Sequence, residues 1–235
     1  MTPIVAALLL LTACSSAPKS AAADVPDVDV RRLPPERKKS LPDVMVQAAD
    51  RSRVLGLATA PVSIMVVSDY QCPTCQRWFT GTLPAVRAAL VDAGVARLTL
   101  VHYPMREHPL AVRAASAALC AGVQGKFWEA STQLFAAQAQ WGTLTDAAAQ
   151  TQPALADAAK AQIDSVVATV GVESFAFREC VQSGRLLRQI HQDIRWADAN
   201  GVGGVLQLLI GSHRLTGEAS IAAIRAAVDS TRNGH

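Results

Sequence analysis

Cys72 and Cys75 stand two residues apart in Cys72-Pro73-Thr74-Cys75, close enough to form and break a disulfide with little backbone movement. An apolar run, Val62-Ser63-Ile64-Met65-Val66-Val67, precedes them and a helical pattern follows. At such a junction the helix start offers unpaired backbone N–H groups and the positive end of its dipole. Both stabilise a thiolate at Cys72 and lower its pKa. A thiolate is the species that attacks disulfides. Pro73 falls at the first helical position, where its missing N–H costs nothing. The chemistry expected is thiol–disulfide exchange, with Cys72 as nucleophile, Cys75 as the resolving thiol one turn along, and Pro73 and Thr74 tuning the couple.

The elements that must position these thiols follow from periodicity. Val62 to Ser68 is apolar, β-branched and bounded by Pro61 and Asp69, which predicts a buried strand. Pro73 to about Ala93 carries Trp78, Phe79, Leu83, Val86 and Leu90 near helical spacing, with a kink expected at Pro84. Gly94 ends that helix, and Val95 to Tyr103 reads as a second strand. Helical segments follow over 108–121, 126–138, 143–170 (broken by Pro153), 173–182 and 185–200, the last ended by Asn200-Gly201. Val205 to Ile210 and His213 to Thr216 read as strands around Gly211-Ser212, and Glu218 to Ser230 as a closing helix. Leu41 to Gly56 is a helix or irregular lead-in. The order is βαβ, a helical insertion over about 106–200, then ββα: an α/β fold with the dithiol at the carboxyl end of its first strand.

With 235 residues, half of them hydrophobic, the chain can fill a sizeable core and is not a disordered protein. A net charge of +3 with no basic cluster interleaved with aromatics argues against nucleic acid as a partner. Arg31-Arg32 and Arg37-Lys38-Lys39, interrupted by Pro34, Pro35 and Glu36, read as a solvated linker, with contact to an anionic membrane the weaker reading. Leu11-Thr12-Ala13-Cys14 after the apolar run Ile4 to Leu11 resembles a bacterial lipoprotein signal, although no Lys or Arg precedes the run. That run is too short to span a bilayer. The resemblance implies a signal peptide over 1–13, lipidation of Cys14, a flexible tether over 14–45 and a folded domain over 46–235. It places the protein outside the cytoplasm, anchored through lipid on the periplasmic side; Ser15-Ser16 rather than Asp after the cysteine implies the outer membrane where there are two. Cys120 and Cys180 remain of the five cysteines: a structural disulfide, or two separate buried thiols. His102, His108, His191 and His213 are scattered and no second CxxC exists, so no metal site or cofactor is expected. Asp69 reads as a turn residue, Glu129 as a surface acid, and Trp78, Phe79, Phe127 and Trp128 as core.

Several consecutive motifs carry a family resemblance. Ser68-Asp69-Tyr70-Gln71-Cys72-Pro73-Thr74-Cys75, Tyr103-Pro104-Met105 with His108-Pro109, Ala117-Ala118-Leu119-Cys120-Ala121 with Gln124-Gly125-Lys126-Phe127-Trp128-Glu129, and Phe177-Arg178-Glu179-Cys180 with Gly184-Arg185-Leu186 resemble the DsbA-like thiol-disulfide oxidoreductases of the thioredoxin superfamily. The match runs over roughly residues 50 to 230. It implies a thioredoxin fold with a helical insertion, protein thiol and disulfide substrates, and a redox partner that recycles the dithiol. Thr74 stands where strongly oxidising members have histidine, which implies a less oxidising couple. Such proteins carry a cis-proline in a substrate loop facing the dithiol; here Gly201-Val202-Gly203-Gly204-Val205-Leu206-Gln207 occupies that segment, with Leu206 in the proline's place. A cis bond before a non-proline residue costs about 2.5–4 kcal/mol, so a trans Val205–Leu206 peptide and a differently shaped loop are expected. Two other readings follow from that departure: a redox-weak peptide-binding or scaffolding protein, and a metal-binding dithiol.

Overall fold

The computed structural model describes residues 44–234. The expected signal peptide, Cys14 and nearly all of the expected tether lie outside them. Val44 and Met45, assigned above to the tether, already belong to the first helix, α1 (Val44–Ser52).

Five strands form one sheet: β1 (Val54–Leu55), β2 (Val62–Ser68), β3 (Ala96–His102), β4 (Gln207–Ile210) and β5 (His213–Thr216), in the order β1-β3-β2-β4-β5. β2 is central, parallel to β3 and antiparallel to β4. Ile64, Val66 and Val67 are all buried there, as expected of a strand covered on both faces. Its register with β3 runs from Val62 opposite Ala96 to Ser68 opposite His102, so the two strands end level. β1 is an edge strand antiparallel to β3 through Val54 opposite Thr99; at two residues it leaves no sequence period to read.

The chain leaves β2 through Asp69-Tyr70-Gln71 and enters α2 (Pro73–Gly81). The expected single helix to Ala93 is instead three pieces: α2, α3 (Leu83–Val86) and a π-helical turn over Arg87–Val91. The break falls at Thr82 rather than at Pro84, because Pro84 has no N–H to donate back and settles in the first turn of the new helix.

Between β3 and β4 lie α4 (Ala111–Val123), α5 (Phe127–Ala136), α6 (Gln138–Trp141), α7 (Asp146–Thr151), α8 (Pro153–Ala168), α9 (Ser174–Ser183) and α10 (Leu187–Ala199). Pro153 starts α8 where a break was expected. α4 is buried on nearly every face because α1, α5, α8, α9 and α10 pack around it, and its alanines allow that close approach. Cys120 on α4 is joined to Cys180 on α9 by a disulfide, with Cα atoms 5.7 Å apart. α10 is tied to the sheet by a buried ion cluster: Asp193 pairs with Arg53 and accepts hydrogen bonds from the His102 backbone N–H (2.9 Å) and, through a ring nitrogen, from His102 (2.8 Å). Burial pushes the Asp193 carboxyl up, but the His102 hydrogen bond and the Arg53 charge outweigh it and hold the group below its ordinary value. The closing helix α11 (Ile221–Arg232), capped by the Ser220 hydroxyl, covers β2, β4 and β5. Among the described residues no helix is long and apolar enough to cross a membrane.

Candidate active site

Cys72 is the N-cap of α2. Its backbone is extended (φ −76°, ψ 122°), and its sulfur accepts a hydrogen bond from the Cys75 backbone N–H at 3.2 Å. Pro73 follows at the start of the helix, so the turn exposes its remaining amides to the sulfur without orphaning one. The Cys75 thiol also donates to that sulfur. This bond, more than any other, brings the Cys72 thiol down to about 7, with the Cys75 and Thr74 amides adding to it while burial and the Asp69 charge oppose. Cys75 is the opposite case: its residue has no exposed surface, and burial, then the Cys72 sulfur, push its thiol well above the ordinary range. Two adjacent thiols in one turn are thereby driven apart in acidity. Cys72 is 6% exposed and is the one of the pair that solvent reaches.

The turn carrying Cys72 is held by side chains that sequence reasoning passed over. Asp69, read above as a turn residue, is a buried acid. Its carboxylate accepts from the Gln71 N–H (2.6 Å), the Met105 N–H (2.8 Å) and the His108 ring (2.7 Å). It therefore joins the exits of β2 and β3 in one cluster, and its hydrogen bond raises the His108 pKa. Gln138 of α6 donates to the carbonyls of Tyr70 (2.7 Å) and Cys72 (3.0 Å). Gln71 donates in the other direction, to the Gly142 (3.0 Å) and Leu144 (2.7 Å) carbonyls, and accepts from Leu110 N–H (2.8 Å). The Tyr70 hydroxyl is 2.7 Å from that of Ser131, whose own proton goes to the Phe127 carbonyl, so Tyr70 is the donor. On the open side Thr74 accepts from Arg77, which forms an ion pair with Glu218 at 2.6 Å.

The loop before β4 departs from expectation: the Val205–Leu206 peptide is cis. Leu206 is buried, its carbonyl accepts the Gly217 N–H (2.9 Å), and the Tyr103 hydroxyl, bonded to Asp198 (2.8 Å), reaches the Val202 carbonyl (3.4 Å). These contacts fix both ends of the loop without a proline ring. Gly217 adjoins Glu218, the partner of Arg77 on α2, so one short turn links the Leu206 loop to the dithiol helix.

A family model described as Thioredoxin matches residues 48–230. The chain belongs to the thioredoxin family. Its fold is similar to that of Wolbachia pipientis alpha-DsbA1, with a TM-score of 0.64 at 16% sequence identity over 77% of this chain and 91% of that one. In sequence, a Na(+)/H(+) antiporter NhaA 1 of Salinispora arenicola is 32% identical over 213 residues, which is 86% of this chain but 29% of that protein. This thioredoxin-family chain thus spans less than a third of the length of that relative. A probable disulfide bond formation protein D of Bacillus anthracis is 28% identical over 86 residues, 36% of this chain and 39% of that protein.

Within the thioredoxin-family frame the structure brings Cys72, Pro73, Thr74 and Cys75 into one helical turn and sets Val205 and Leu206 in the loop before β4. It sets Cys120 and Cys180 apart from them, in the packing of α4 on α9. Trp78, Phe79 and Phe127 are core residues, and Glu129 is an exposed acid paired with Lys126. Asp69 and His108 had a signal, since both stand in the motifs quoted above. Gln138 had none, because a glutamine on an amphipathic helix looks the same whether it faces water or a backbone carbonyl.

Proposed function

We propose that this protein exchanges disulfides with protein thiols through Cys72 and Cys75. The observation that carries the reading is the opposed acidity of two thiols in one turn: Cys72 brought down to about 7 and reachable, Cys75 pushed up and enclosed. In the reducing direction the Cys72 thiolate attacks a substrate disulfide and forms a mixed disulfide; Cys75 then attacks the Cys72 sulfur and releases the substrate thiol. In the oxidising direction a substrate thiolate attacks Cys72 of the closed disulfide and Cys75 leaves. The DsbA-like fold and the relative named for disulfide bond formation support the same chemistry.

The Cys120–Cys180 disulfide supports an oxidising compartment, where such bonds persist. Together with the Cys14 sequence it favours a lipid-anchored protein outside the cytoplasm, recycled there by a redox partner. The test is a redox titration of the full chain against glutathione, with the state of Cys72 and Cys75 read by mass spectrometry. A single two-electron equilibrium abolished by Cys72→Ser is expected. No exchange between the pair and glutathione, or exchange that survives Cys72→Ser, refutes the reading.

A further inference from the structure

The buried charge at the dithiol turn has one possible counter-charge in contact with it. The Asp69 side chain has no exposed surface, and its carboxylate accepts from the Gln71 N–H (2.6 Å), the Met105 N–H (2.8 Å) and the His108 ring (2.7 Å). Two of those donors are backbone amides without net charge. The nearby cation on α2, Arg77, is taken by Glu218. Among the described residues, His108 is thus the side chain that can neutralise Asp69, and a buried carboxylate left uncompensated is costly. The same carboxylate is built into the backbone that carries Cys72: its partner Gln71 is the preceding residue, and the Asp69 carbonyl accepts the Cys72 N–H at 3.2 Å. A Cys72 thiolate therefore forms within one turn of a fixed negative charge. His108 keeps 21% of its side-chain surface, so its ring can exchange a proton with solvent while Nδ1 stays on Asp69. The Asp69 hydrogen bond raises the His108 pKa, with burial opposing. The charges that act on His108 are those of Asp69 and Cys72 in the dithiol turn and Glu107 in its own loop; of these, Cys72 alone changes with redox state.

We propose that His108, held by Asp69, is the proton store of the exchange: it takes up a proton when the dithiol is reduced and returns it when the disulfide re-forms. The inference rests on the exchange reading and adds to it the fate of a proton. A substrate dithiol that is oxidised gives up two electrons and two protons. The electrons break the Cys72–Cys75 bond as the substrate disulfide forms. One proton goes to the enclosed Cys75 sulfur, and Cys72 is left as a thiolate. The second proton has no sulfur to go to. Over the pH range between its midpoints in the two redox forms, His108 takes that proton by way of solvent, and the site gains a positive charge along with the negative one. When a partner disulfide reoxidises the pair, the thiolate is consumed, and Cys75 and His108 supply the two protons that the partner's thiols need. His108 acts through its charge and needs no contact with either sulfur.

The experiment follows the His108 ring by NMR across pH in the histidine-labelled full chain, once as the disulfide and once as the dithiol. The two forms are set with a chemical oxidant and a phosphine reductant, so neither depends on exchange with glutathione. Unit charges roughly 10 Å apart and partly screened change each other's proton affinity by about three- to tenfold. The His108 midpoint should be higher by that factor in the dithiol form, and in reduced Cys72→Ser it should return to the disulfide value. Coupling between two sites is reciprocal. In His108→Asn, which keeps a donor for Asp69 but cannot carry the proton, the Cys72 midpoint should rise by about three- to tenfold in proton affinity. Equal His108 midpoints in the two wild-type forms overturn the proposal, and that comparison needs no variant to fold. A difference that persists in Cys72→Ser marks a conformational effect and overturns it too, as does a wild-type Cys72 midpoint in His108→Asn, which would reduce His108 to a hydrogen-bond donor. A pair that never exchanges with glutathione refutes the exchange reading itself and this inference with it, an outcome distinct from the others.

Discussion

Replacing Cys75 by alanine tests how the low Cys72 pKa is made. The substitution removes the thiol that donates to the Cys72 sulfur and keeps the backbone N–H at position 75, 3.2 Å away. A hydrogen bond to a charged group contributes about 1.5–3 kcal/mol, or roughly 1–2 pH units. The Cys72 midpoint should therefore rise from about 7 to about 8–9, stopping near the ordinary cysteine value. Taking about 1.5 units, the thiolate fraction at pH 7 falls from about one half to about 3%. The more basic thiolate is intrinsically about fivefold more nucleophilic. The two effects oppose each other, so the variant should react about threefold more slowly with a small aromatic disulfide at pH 7 and about fivefold faster at pH 10. Initial rates of released thiol across that range, with Cys72 modification verified by mass spectrometry, give both the midpoint and the crossing of the curves. A midpoint that stays within about half a unit of 7, with no crossing, would refute the reasoning and assign the shift to the helix amides alone.

Removing the Cys120–Cys180 bond with a double alanine variant should destabilise the fold without disabling exchange. Cross-linking a loop with a sequence separation of 60 restricts the unfolded chain by about 4 kcal/mol, and chemical denaturation should show a loss of that order; a loss under about 1 kcal/mol contradicts it. Asp69→Asn should act on both acidity and stability. The Asp69 charge opposes the Cys72 thiolate, so the Cys72 midpoint should fall further, while His108 and the Met105 N–H lose a shared acceptor at a cost of about 2–4 kcal/mol. Because Asp69 raises the His108 pKa, their pairing contributes stability below the unfolded histidine value and loses it as pH rises through the raised one. Denaturation midpoints across pH 5–8 should show that slope in the wild type and not in the variant; a slope retained in Asp69→Asn assigns it elsewhere.

The strands and the dithiol turn were legible in sequence because their signals are local. Val62 to Ser68 is apolar on both faces, and Cys72-Pro73 is an N-cap followed by a helix-starting proline. The helix break at Thr82 is also local, but only its neighbourhood could be read, since Pro84 forbids a continuous helix without saying where the chain bends. The Leu206 loop was misjudged for a different reason. The preference for trans is a local average, whereas this loop is held by a contact from Tyr103, remote in sequence, and by the Gly217 N–H across the β4–β5 turn. Asp69 shows the same limit in the site: an acid between a strand and a helix has the composition of a turn, and its burial depends on Met105 and His108 arriving from the far side of β3.

The helical insertion is part of the site and not an ornament on it. Two backbone carbonyls of the Cys72 turn are engaged by helices beyond it: those of Tyr70 and Cys72 by Gln138, and that of Cys72 again by the Gln76 N–H at 3.0 Å. Phe135 of α5 stacks on Phe79 of α2 with ring centroids 4.0 Å apart and lies 4.8 Å from Tyr70, so the apolar contact clamps the same turn that the glutamines clamp by polar ones. A dithiol whose acidity depends on donors at about 3 Å needs them held to a few tenths of an ångström through each change of sulfur charge and bonding. A bare β-α-β unit leaves that turn facing solvent. Here α5 and α6 pack against it through Phe135 and Gln138, and the difference in acidity between the two sulfurs follows from the bond that lowers Cys72 and the burial that raises Cys75.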